Sequence, residues 1–66
     1  MNRLKQLRTA RKMSLRSLSE QTGIEFSSIA YYERGERNFS VKSQQVLSDF
    51  FGVSVDYLLG KSPEEM

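Results

Sequence analysis

The chain has 66 residues and contains neither cysteine nor histidine, so neither disulfides nor thiolate or imidazole ligands to a metal can staple it. A single domain this small buries only about 60% of its unfolded surface, which favours a locally connected, helical core. With no histidine base, no cysteine nucleophile, no glycine-rich phosphate loop and no plausible carboxylate pair, an enzyme is not expected, nor a bound cofactor.

The elements follow in chain order. Apolar spacing predicts five helices, near residues 2–12, 14–22, 25–33, 40–51 and 54–59, and no convincing strand. Ser14, Ser40 and Ser54 each precede an apolar-periodic run and can accept from an unpaired first-turn amide. None has Glu or Gln three positions on, so no capping box is complete. Gly23, Gly35, Gly52 and Gly60 fall where the runs end. The predicted buried face comprises Leu4, Leu7, Met13, Leu18, Ile24, Ile29, Tyr32, Val41, Leu47, Phe50, Val53 and Leu58. The domain is expected to span 1–60, with KSPEEM (61–66), which holds the single proline, as a tail or the start of a linker. No apolar run nears the roughly 20 residues of a membrane span. MNRLKQLRTARK lacks a signal-peptide core, so a cytoplasmic protein without a membrane partner is expected.

Charge divides unevenly along this order. Residues 1–40 carry eight basic and four acidic side chains, +4, whereas residues 41–66 carry two basic and four acidic, −2. A polyanion-binding face carried apart from another surface fits this division, and so does an ordinary solvated exterior.

Residues 15–34 hold a tighter pattern. Leu18 and Ser19 are followed by Gly23, Ile24, Ile29 and Tyr32. Two helices crossing steeply over a short turn need a small residue where their backbones approach, which Ser19 supplies. The turn also needs a residue tolerant of positive φ, which Gly23 supplies. With Ile29 and Tyr32 anchoring the second of these helices, positions 26, 27, 30, 31 and 34 turn outward along one face. This is a helix-turn-helix pattern.

Four stretches, RLKQLR (3–8), MSLRSLSEQTGI (13–24), SSIAYYERGERN (27–38) and GVSVDYLLG (52–60), resemble the lambda-repressor/Cro-like, xenobiotic-response-element type helix-turn-helix proteins. The resemblance covers residues 3–60. It implies an all-α domain of five helices whose third enters the major groove of double-stranded DNA. It also implies a homodimer that represses transcription by occluding a palindromic operator on the nucleoid. By position, base reading would fall to Phe26, Ser27, Ala30 and Tyr31. Phosphate contact would fall to Ser14, Arg16, Ser28, Arg34, Arg37 and Asn38. The resemblance further implies an ion pair between Arg8 and Glu33, and self-association through the last helix (Val55, Tyr57, Leu59) and Phe51.

Bidentate reading of guanine requires Arg or Lys, and of adenine Asn or Gln. None of these precedes Arg34 on the outward face. What remains is contact with the thymine methyl by Phe26, Ala30 and the Tyr31 ring, with single hydrogen bonds from Ser27 and the Tyr31 hydroxyl. The same aromatic surface would also suit a protein-interaction module, antitoxin-like or anti-repressor, on this scaffold.

Overall fold

A computed structural model describes residues 2–61. Five helices follow in order: α1 (Leu4–Ala10), α2 (Leu15–Thr22), α3 (Phe26–Arg34), α4 (Val41–Phe51) and α5 (Val55–Leu58), with no strand among the described residues. The all-α, five-helix expectation holds. Of the tail expected at 61–66, all but Lys61 lies outside the described residues. No helix among the described residues is long and apolar enough to cross a membrane.

The three serines cap as their chemistry requires. Ser14, Ser40 and Ser54 accept from the amides of Ser17, Ser43 and Tyr57 at 3.0, 3.1 and 3.0 Å, each satisfying a donor that the helix leaves unpaired. α3 ends on Gly35 at φ 72°, and the Glu36 amide returns to the Tyr31 carbonyl at 3.0 Å. α1 ends two residues before the predicted boundary because Lys12 turns left-handed, at φ 57°. Its amide reaches the Thr9 carbonyl at 2.9 Å, and that of Met13 the Arg8 carbonyl at 3.2 Å. A lysine here performs the helix stop that glycine performs elsewhere.

Leu4, Leu18, Ile29, Tyr32, Leu47, Phe51 and Leu58 form the core, with Leu7, Met13, Leu15, Ile24, Phe39, Phe50 and Val53 packed around it. Two expectations change. Val41 is 81% exposed rather than buried. The buried positions of α4 are Ser43, Leu47, Ser48 and Phe51, and Val41, the first residue of the helix, is not among them. Ser43 can be buried because its hydroxyl meets that of Tyr32 at 3.1 Å and accepts from Ser40 Oγ at 2.9 Å. Phe51, expected at a dimer surface, is only 6% exposed. It sits four residues after Leu47 and its ring fills the monomer's own core, leaving little for a partner.

Hydrogen bonds tie Arg3, before α1, to α5 and Arg11, after α1, to the end of α4. The Arg3 amide donates to the Leu58 carbonyl at 2.9 Å, and its guanidinium to the Tyr57 carbonyl at 2.8 Å while lying 4.3 Å over the Tyr57 ring. Arg11 donates to the Phe50 and Phe51 carbonyls at 3.3 Å each, where α4 ends and a cation is favoured. No buried side-chain nitrogen or oxygen among the described residues lacks a partner.

Candidate nucleic-acid interface

The turn between α2 and α3 fixes how α3 is presented. Gly23 adopts φ 77° and its amide donates to the Ser19 carbonyl at 2.9 Å. Ser19 does more than stay small: its Oγ donates to the Ile24 carbonyl at 2.6 Å, across the turn. Thr22 Oγ1 donates to the Leu18 carbonyl at 2.8 Å and accepts from the Ile24 amide at 3.3 Å. Two hydroxyls therefore satisfy a turn that has few backbone bonds of its own.

α3 is anchored from below and from behind. Ile29 and Tyr32 are buried, and the Tyr32 ring stacks on Phe39 with centroids 4.5 Å apart. Asn2 accepts from the Leu4 amide at 3.0 Å and donates to the Tyr32 carbonyl at 2.8 Å, linking the start of α1 to α3. Sequence reasoning passed over Asn2, although a short polar side chain before a helix is a capping signal. Arg8 reaches Glu33 through Nε at 2.6 Å and Nη2 at 3.1 Å, and its Nη1 donates to the Met13 carbonyl at 2.7 Å. Hydrogen bonding to Glu33 raises the guanidinium pKa against the opposing effect of burial, so the group stays charged.

The anchored helix turns four residues outward or to its edge. Phe26 is 51% and Tyr31 37% exposed, Ser27 is exposed and Ala30 half-buried. Glu25 precedes the helix without a side-chain capping bond, and its carboxylate accepts from Ser27 Oγ at 3.2 Å. Two guanidinium groups gather on Tyr31: Arg34 lies 5.1 Å and Arg37 4.8 Å from its ring centroid. Arg37 also donates to Ser28 Oγ at 3.1 Å, whereas Arg34 pairs with Glu36 at 3.1 Å. Arg16 and Asn38 are exposed, and Ser14 at the start of α2 is exposed while capping. α2 begins with amides that the helix itself cannot pair, and Leu15 beside them packs on the core.

Residues 4–58 match a family model described as helix-turn-helix. The chain belongs to this family, the lambda-repressor/XRE-like one. Among its helix-turn-helix relatives, the uncharacterized HTH-type transcriptional regulator YobD of Bacillus subtilis is 40% identical over 58 residues, covering 88% of this chain and 52% of that protein. The HTH-type transcriptional regulator AnsR of Bacillus subtilis is 34% identical over 65 residues, covering 98% of this chain and 56% of that protein. The chain thus spans about half the length of the curated relatives it matches. No solved structure matches it significantly.

Proposed function

We propose that the chain is a sequence-specific double-stranded DNA-binding module of a transcriptional regulator, acting as a repressor by operator occlusion. The observation that carries this reading is the outer face of α3. Phe26 and Tyr31 stand exposed there beside Arg34 and Arg37, on a helix locked to the core by Ile29, Tyr32 and the Arg8–Glu33 pair. An aromatic surface bordered by cations suits the major groove, where thymine methyls line the floor and phosphates the rim. Phe26, Ser27, Ala30 and Tyr31 would face base edges. Ser14, Arg16, Ser28, Arg34, Arg37 and Asn38 would hold the backbone, helped by the N-terminal amides of α2. Both relatives are named as transcriptional regulators, which supports the same reading.

A two-fold dimer on a palindromic operator fits this reading, with Val55, Tyr57 and Leu59 at the contact. All three are half-buried in the monomer. Exposed Phe26 also suits a protein partner, and one experiment separates the two. Selection from random duplex DNA followed by mobility shift should return a defined site. Failure to enrich any sequence, with no shift even at low salt, would favour the protein-interaction module.

A further inference from the structure

Just past the C-terminal end of α3 stands an acid whose position is fixed by the backbone. Glu36 follows the left-handed Gly35, and its amide is bonded to the Tyr31 carbonyl at 3.0 Å, so the residue is fastened to the end of α3. From there its carboxylate takes Arg34 with both oxygens: Nε meets Oε2 at 3.1 Å and Nη2 meets Oε1 at 3.2 Å. The guanidinium so held lies 5.1 Å from the Tyr31 ring. Arg37 approaches the same ring at 4.8 Å but is held by the neutral Ser28 hydroxyl. Tyr31 therefore contacts two guanidinium groups of different kinds, one with its charge matched by a carboxylate and one with no carboxylate partner among the described residues.

We propose that Glu36 is a positioning residue for specificity, which withdraws Arg34 from the phosphates and keeps it as a brace on Tyr31. This rests on the DNA-binding reading above and corrects one part of it, since Arg34 would otherwise be counted as a backbone contact. Phosphate contacts supply essentially all the affinity for random DNA, while base contacts are made only at the operator. An arginine occupied by its own carboxylate adds little to random binding. Holding the Tyr31 ring in one orientation favours the site whose bases that ring fits. The pair is half-exposed on both sides, at 55% and 53%, so it is weak enough that removing the carboxylate frees Arg34 without disturbing the fold.

The test compares wild type, Glu36→Gln, Arg34→Gln and the double variant on random duplex and on the selected operator across a salt series. Glu36→Gln should raise affinity for random duplex roughly two- to fivefold at low salt, the range an exposed pair commands. It should also steepen the salt dependence by about 0.9, one additional phosphate contact. Operator affinity should rise less, so the operator-to-random ratio falls. In the Arg34→Gln background the Glu36→Gln gain should vanish. Equal gains on both DNAs, or a gain that survives without Arg34, would make Glu36 a plain repulsive charge and overturn the assignment. No change on random duplex would overturn it as well. A folded wild type that binds no duplex at any salt would instead sink the DNA-binding reading, and this assignment with it.

Discussion

Arg8 and Glu33 meet through two parallel hydrogen bonds, 2.6 and 3.1 Å long, with only 12% and 7% of their side chains exposed. Arg8 also donates to the Met13 carbonyl at 2.7 Å, so one guanidinium joins α1, the stretch before α2, and α3. A buried pair gains little over an apolar replacement, but removing one partner strands a desolvated charge.

Glu33→Ala should therefore cost about 3 kcal/mol, a large part of the roughly 3–10 kcal/mol a domain this size commands. Its melting temperature should fall by more than about 10 °C. Replacing both partners with apolar residues of similar volume should cost less than Glu33→Ala alone. A Glu33→Ala protein that melts within about 2 °C of wild type would show that the pair contributes little in solution.

Backbone conformation gives a reciprocal pair of expectations. Gly23 sits at φ 77°, and no atom lies within 4 Å of where a Cβ would go, so Gly23→Ala meets only the intrinsic left-handed penalty. It should cost about 1 kcal/mol. Lys12 already carries that penalty at φ 57°. Lys12→Gly should relieve it, offset in part by the greater freedom of glycine in the unfolded chain, for a net gain of up to about 0.5 kcal/mol. Urea denaturation at constant slope reads both, and a Lys12→Gly midpoint below that of wild type contradicts the account.

How much of this was legible in the sequence depended on range. Ser14, Ser40 and Ser54 act within three residues of themselves, so capping chemistry alone located three helix starts to within a residue. The buried face of α4 was harder. Two of its four buried residues are serines, and a count of apolar spacing cannot see a serine buried for its hydroxyl. Spacing also pointed to Phe50 inward from Leu47, whereas tertiary packing buries Phe51 and leaves Phe50 only partly covered. The charge reading was too generous to the N-terminal part. Arg3, Arg8 and Arg11 serve a carbonyl, a carboxylate and a helix end inside the fold, which only the three-dimensional arrangement reveals. The outward face of α3 was legible because Ile29 and Tyr32 fix its rotation, whereas the Arg34–Glu36 pair joins side chains across a turn and left no periodic trace.

Self-association should be weak. With Phe51 committed to the core and Arg3 lying over Tyr57, the surface left to a partner is small. The chain should sediment as a monomer at micromolar concentration and pair on a full palindrome. Leu59→Glu should lower affinity for that palindrome roughly tenfold, because the second binding step loses its linkage, while changing half-site affinity less than about twofold. One-to-one binding on a full palindrome by wild type would rule the dimer out.

Tyr31 and Arg37 should fail differently when removed. Tyr31→Ala should cost roughly 1–3 kcal/mol on the operator and little on random duplex, the result expected if the ring contacts a base. Arg37→Ala should weaken both and lower the salt slope by about one. Because Arg37 also lies over the Tyr31 ring, a double variant should lose less than the sum on the operator. Substituting uracil for thymine in the operator removes only the methyl and tests how the face reads bases. With Phe26 and Tyr31 exposed and no Asn, Gln, Arg or Lys on the outer face before Arg34, methyl contact is the main discriminating chemistry this helix can offer. At least one thymine in each half-site should therefore be sensitive. Its replacement should cost wild type more than it costs Phe26→Ala or Tyr31→Ala, since those variants have already lost the contacting ring. Uracil substitution that leaves wild-type affinity unchanged at every half-site position would mean that the aromatic face does not read methyls, and that specificity arises from the shape of the duplex instead.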